Sequence, residues 1–401
     1  MTASQEKGLA PTPESFEIPE DVTYLNCANM SPQLKAVRTA GIEAVRARAL
    51  PWELVPERWF SGAEKLRALA SRLLGATADS VALVPSVSYA IAIAAANVPI
   101  RPGQSIVLLD QQFPSNVYAW RRLATASGGE VRFVRRPRNG EWTDAVLESI
   151  DENTAVVSVP NCHWTDGGLV DLRRVGERTR AVEAAFVVDA SQSLGAYPLS
   201  VKEVRPDFLV SVGYKWLLGP YGLGYLYVGP RFRESGKPLE ESWLSRSGSS
   251  DFSRLVDYTD TYRPGARRFD MGEFPQFGSM PQAIAAFEQI LDWGVDRIQA
   301  SLSLMTRRVS EGAASFGGST LDELQRGGHL VGIRMPGGLP EGLARTLSDE
   351  RVYVSVRGDC IRVAPHLHNT SSDIDRLLDL IGEEAVKSRT PHPPGRPRQS
   401  R

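Results

Sequence analysis

Cysteine is scarce in this chain: Cys27, Cys162 and Cys360 are the only three in 401 residues. Three thiols make no disulfide framework, and their spacing matches no zinc motif, so no metal is expected. An excess of charge of either sign is missing too. With 46 basic against 47 acidic residues there is no basic stripe for nucleic acid and no patch for a membrane surface. No apolar run reaches the ~18 residues of a membrane span. The opening MTASQEKGLAPTPESFE lacks the basic flank and apolar core of a secretory leader. These absences point to a soluble cytoplasmic protein with neither nucleic acid nor membrane as partner. Lysine is the rarest charged residue, seven in all, and six of the seven lie in polar or helical-surface contexts. The exception is Lys215.

Lys215 sits in VRPDFLVSVGYKWLLGPYGLGYLYVG, residues 204–229. Apolar runs over Phe208–Val212 and Tyr225–Val228 read as buried strands on either side of it. An ammonium that leaves water without a partner is costly. One chemical solution is a Schiff base, in which the lysine nitrogen is held by an aldehyde. Upstream, FVVDASQSLGAYP puts Asp189 where a short buried strand leaves the sheet, the place where open α/β sheets bind ligands. A carboxylate there needs a cation, and a protonated pyridine nitrogen is one. Gln192 lies within reach of a ring oxygen. Asp189, Gln192 and Lys215 together read as a site for pyridoxal 5'-phosphate (PLP).

The remaining chain fits around this site. Helix-period segments are predicted over 34–50, 59–74 and 295–314, and Gly75 caps the second. Strand-like runs cover 80–84, 104–110, 131–134 and 154–159, alternating with helical segments, so the predicted fold is α/β with a mainly parallel sheet covered by helices. The turn Pro85–Ser88 offers small residues and free N–H groups at a helix start, a ready phosphate site. Residues 231–262 are polar and irregular. HLVGIRM, VYVSV and CIRVA, followed by a helix over 373–384, form a smaller α+β C-terminal domain. Residues 1–17 and 386–401 read as disordered tails. The units are then 18–58 as an N-terminal segment on the small domain, 59–294 as the large PLP-binding domain and 295–385 as the small domain.

Seven motifs, VPSVSYAI, QQFPSNVYAW, CHWTDG, VVDASQS, SVGYKWLLGPYG, RFDMGEF and IRVAPHLHNT, occur in this order from residue 84 to 370. In this the chain resembles the class V aminotransferase family of fold-type I PLP enzymes, which includes cysteine desulfurases, kynureninase and isopenicillin N epimerase. The resemblance implies that the backbone of Val87 and Ser88, with the Ser88 hydroxyl, holds the cofactor phosphate. Tyr214 adds a hydroxyl there, with Ser211 the other candidate. It implies that Phe113 packs on the ring, that His163 stands near a cofactor oxygen or the substrate, and that Arg362 grips the substrate carboxylate with Arg357 as a second basic residue. Asn29 becomes a substrate neighbour, though a turn-forming asparagine is the plainer reading. The loop 268–281 is expected to cross a homodimer interface, with Phe277 and Ser279 at the neighbouring subunit's phosphate.

The reaction is harder to read than the cofactor. In the desulfurase-like members a persulfide-forming cysteine rides on a flexible loop, whereas here only GDCI separates Arg357 from Arg362. Desulfuration with sulfur relay is therefore disfavoured. The resemblance favours Cα–H abstraction with Lys215 as base and β-elimination from a cysteine conjugate in a bacterial secondary or sulfur-metabolite pathway. Transamination and decarboxylating deamination are the alternatives. A non-catalytic PLP-binding regulator is a remote one, since no DNA-binding appendage is present.

Overall fold

A computed structural model of the chain describes residues 8–137 and 140–389. Seven strands build the central sheet: β1 (Val81–Val84), β2 (Ser105–Leu109), β3 (Glu130–Val134), β4 (Thr154–Pro160), β5 (Ala185–Asp189), β6 (Phe208–Val212) and β7 (Gly224–Val228). Their spatial order is β1-β7-β6-β5-β4-β2-β3. Only β7 runs against its neighbours; the remaining pairs are parallel. Helices cover the sheet, so every residue of β1, β2, β4, β5, β6 and β7 is buried. That is why these strands read as continuous apolar runs rather than as alternating ones.

This order brings the carboxyl ends of β1, β5 and β6 to one edge of the sheet. Each delivers part of the site: the helix Val87–Asn97 after β1, Asp189 as the last residue of β5, and Lys215 three residues after β6. A buried ion pair braces the same region. Asp270, in the RFDMGEF motif, accepts from Arg67 and from the Leu83 N–H of β1 at 2.8 Å, so residues 263–271 are pinned beneath that strand.

The C-terminal sheet holds β8 (Val331–Arg334), β9 (Ser355–Arg357) and β10 (Cys360–Val363), antiparallel in the order β9-β10-β8. Helices Val295–Ser315 and Ser371–Arg389 cover it and share an apolar cluster that includes Val309, Ile333, Ile361, Ile374 and Leu377. Thr23–Tyr24 pairs in parallel with Val352–Tyr353, which ties the N-terminal segment to this small domain.

The tail expectation needs correcting at both ends. Residues 8–17 are docked: Phe16 is buried against Trp293 and His368, the Thr12 N–H donates to Leu367 O at 2.7 Å, and Ser301 Oγ donates to Leu9 O at 2.9 Å. One buried aromatic outweighs a polar composition. The last helix continues to Arg389, past the expected boundary at 385, while residues 1–7 and 390–401 lie outside the described residues. Among the described residues no helix is long and apolar enough to cross a membrane.

Candidate active site

Lys215 is held by a tight loop between β6 and β7. The Gly213 N–H donates to Leu223 O, the Gly219 N–H to Gly213 O (both 2.9 Å) and the Leu218 N–H to Lys215 O at 3.0 Å. A Cβ on Gly213 would lie 2.7 Å from Leu223 O, so only glycine lets the loop close this far. The closure leaves Lys215 6% exposed, with Nζ 5.3 Å from the Phe113 ring centre and 5.8 Å from that of Tyr214. Burial depresses the ammonium to about 8, against the pull of Asp189 and with repulsion from Arg362 and Arg357. An amine that gives up its proton near neutral pH is a competent nucleophile.

Asp189 shows the complementary strain. It accepts from the Ser191 N–H at 3.0 Å, yet burial still raises its pKa, only partly offset by Ser191 and Lys215. Among the described residues it has no cation within ion-pair distance. A buried carboxylate lacking a cation and a buried amine lacking a partner share one cavity of about 270 Å³. That is the donor set a pyridinium aldehyde fits.

The other end of the cavity suits a phosphate. Pro85, Ser86, Val87 and Ser88 line it where the helix Val87–Asn97 begins. The Ser86 hydroxyl accepts from the Tyr89 N–H at 3.2 Å and lies 2.9 Å from Ser88 Oγ, so the first N–H groups of the helix remain for an anion. Tyr214 lines the cavity here, its ring 4.6 Å from that of Tyr221. Ser211 does not: its hydroxyl turns to Val212 O at 3.3 Å and Ala190 O at 3.5 Å. Of the two residues considered for the phosphate, Tyr214 alone lines the cavity.

Gln192 also lines the cavity, with its amide fixed at both ends. Nε2 donates to Ala28 O and Oε1 accepts from Trp216 Nε1, each at 2.9 Å. One amide proton is left to point elsewhere. Phe113 lines the cavity too, meeting the Trp164 ring edge-on at 5.6 Å.

Two expected residues are placed differently. His163 is turned away from the cavity, stacked on Trp142 at 5.2 Å with Nδ1 3.1 Å from Arg136 Nη2 and 2.8 Å from Thr165 Oγ1. Burial, reinforced by Arg136, lowers its pKa to about 4 and keeps the ring neutral. Its neighbours Cys162 and Trp164 line the cavity instead. Asn29 is exposed; the buried asparagine near the site is Asn26, whose Oδ1 accepts from Ser355 Oγ at 2.8 Å and from Arg362 Nη2 at 3.4 Å. Phe277 and Ser279, expected at the neighbouring subunit's phosphate, lie away from this chain's own cavity: Phe277 packs edge-on against Trp59 at 5.2 Å, and Ser279 Oγ donates to Gln276 Oε1 at 2.7 Å.

Arg362, on β10, is 1% exposed. It does not itself line the cavity, but its Nη1 donates to the carbonyl of Trp164 at 2.9 Å, and the Trp164 ring does. Its Nε has no partner, and among the described residues no carboxylate lies within ion-pair distance. Burial and the Arg357 charge lower it to about 9. A guanidinium without a carboxylate partner can take an incoming one. Reading the sequence missed Asn26, Trp164 and Asn116; the last sits in the quoted FPSN segment and accepts from Ser158 Oγ at 2.7 Å and Trp120 Nε1 at 3.0 Å.

The family profile described as Aminotransferase class-V matches residues 56–377. The chain is 28% identical over 332 residues to the uncharacterized aminotransferase YcbU of Bacillus subtilis (strain 168), covering 79% of this chain and 82% of that one. Its fold is similar to that of an apo cysteine desulfurase from Thermococcus onnurineus NA1, with a TM-score of 0.82 at 20% identity, over 95% of this chain and all (100%) of the other. It is likewise similar to the cystine C-S lyase C-DES in complex with its reaction product cysteine persulfide, with a TM-score of 0.81 at 18% identity, over 91% and 98% of the two chains.

Proposed function

The chain belongs to the class V aminotransferase family and is a PLP-dependent enzyme, and from that premise we propose that it is a C–S lyase, removing the Cα proton of a cysteine conjugate and expelling the sulfur substituent as a thiol. The cofactor, when bound, supplies an electron sink for the bonds at Cα. Val87, Ser88 and Tyr214 would hold its phosphate, Asp189 would pair with its ring nitrogen, and Gln192 has an amide proton that would serve its ring oxygen. Phe113 covers the ring and, with Trp164, keeps water from it. Arg362 takes the α-carboxylate. Lys215 would hold the cofactor's aldehyde and is the amine placed to take the Cα proton.

Cys360 carries the choice of elimination over desulfuration. It is fully buried in β10, its thiol donates to Thr165 O and Arg357 O at 3.3 Å each, and burial pushes it up to about 11. A thiol fixed in a strand cannot travel to accept sulfur, whereas elimination needs no acceptor. The fold accommodates a C–S lyase as well as a desulfurase; the aminotransferase relative favours transamination as the second reading. Incubation with several S-substituted cysteines in the absence of a 2-oxo acid separates them. Elimination releases pyruvate, ammonia and thiol over many turnovers and survives Cys360→Ala. A single stoichiometric half-reaction, restarted by added 2-oxo acid, contradicts the lyase.

The same reading makes the enzyme a homodimer with shared sites, Phe277 and Ser279 reaching the partner's phosphate. Its support is an exposed apolar surface: Val45 and Trp52 are 71% and 75% exposed, beside a groove lined by Ala44, Phe277, Met280 and Ile284. A monomer by light scattering that still turns over substrate rules it out.

A further inference from the structure

A second guanidinium looks onto the same wall of the cavity. Gly358 (φ 59°) and Asp359 turn the small-domain hairpin, so that Arg357 pairs with Cys360 and Ser355 with Arg362 across β9 and β10. Alternation along the strands puts these four side chains on one face. That face lies on the 162–166 segment: Cys360 Sγ donates to Thr165 O, Arg362 Nη1 donates to Trp164 O, and the Arg357 guanidinium lies over the Trp164 ring, 5.7 Å from its centre. Arg357 is therefore braced on a ring that lines the cavity. It is half-buried, with Nη1 donating to Val356 O at 2.9 Å and Nε buried without a partner. Among the described residues no Asp or Glu comes within ion-pair distance of it.

The charges around the cavity do not balance on the amino-acid reading alone. Lys215, Arg357 and Arg362 stand against one carboxylate, Asp189, and their mutual influence places them in one electrostatic neighbourhood. Lys215 is taken up by the cofactor, Asp189 by its ring nitrogen and Arg362 by the α-carboxylate. The cofactor phosphate sits across the cavity at Ser88. One cation is left over. We propose that Arg357 receives a second anionic group at the far end of the substrate side chain, so that the substrate is a cysteine conjugate whose sulfur substituent ends in a carboxylate or an acid of similar shape. The planar fork of a guanidinium matches such a group with two parallel hydrogen bonds, and stacking on Trp164 fixes the orientation of the fork.

This rests on the cavity being an amino-acid site, so the test reads binding rather than which bond breaks. The holoenzyme is titrated with S-(2-carboxyethyl)-L-cysteine and with its amide, S-(2-carbamoylethyl)-L-cysteine, following the change in cofactor absorbance. The acid is expected to bind about ten-fold more tightly, the scale of a charge-assisted contact at a half-exposed site. Arg357→Gln should bring the ratio close to one, and Arg357→Lys should keep part of it. A wild-type ratio near one overturns the proposal without recourse to any variant. A preference that persists in Arg357→Gln, including the case in which both ligands weaken equally, assigns Arg357 to the α-carboxylate or to structure and also overturns it. If both ligands bind but release no thiol, the lyase reading fails while the assignment of Arg357 is still decided by the ratio.

Discussion

Replacing Lys215 with alanine is expected to lower turnover of any amino-acid substrate by ~10³-fold or more, since it removes both the amine that holds the cofactor and the base at Cα. The cavity keeps its other holds on the cofactor: the helix start at Val87 and Ser88, the Asp189 carboxylate and the Phe113 wall. PLP should therefore still bind, without a covalent link, and its absorbance should shift accordingly. Steady-state rates and the spectrum of the dialysed variant check this together. A loss of less than ten-fold would mean that another group does the proton transfer, and the depressed Lys215 would need another explanation.

Arg362→Ala is expected to weaken amino-acid binding by ~2–5 kcal/mol, the scale for truncating one partner of a buried charged pair, which raises KM from roughly 30-fold to several thousand-fold. Cofactor content should stay the same. Stability should fall through the cavity left and the Trp164 carbonyl freed, but no carboxylate within ion-pair distance among the described residues is stranded. This separates Arg362 from Arg67, whose loss would strand Asp270. Titration by cofactor absorbance measures the affinity, and a melting curve serves as the control. Unchanged affinity removes Arg362 from the substrate site.

What could be read in advance, and what could not, follows from how each residue is signalled. Lys215 and Asp189 were legible because a charge between apolar runs has few explanations, and the buried strands β5 and β6 are unbroken runs of apolar residues around a single serine. The turn after β1 was legible because small residues at a helix start serve few purposes. His163 misled because the chemistry of a histidine is conspicuous, whereas the course of the turn that leaves Cys162 and Trp164 on the cavity and His163 on Trp142 is something no composition reveals. Asn26 and Asn29 lie three residues apart in one segment, and only the pairing of Thr23–Tyr24 with Val352–Tyr353 decides which of them meets Arg362. The docking of residues 8–17 was hidden for a similar reason: Phe16 finds its pocket among residues nearly the whole length of the chain away. In each case the missing information was tertiary.

The most direct test of the account is to reduce the holoenzyme with borohydride, which fixes a carbonyl-bearing cofactor to the amine that holds it, and to map the modified peptide by mass. The account predicts a pyridoxyl group on Lys215 and on none of the other six of the seven lysines. A label on any other lysine, or no label on a protein that retains its cofactor and its activity, contradicts it.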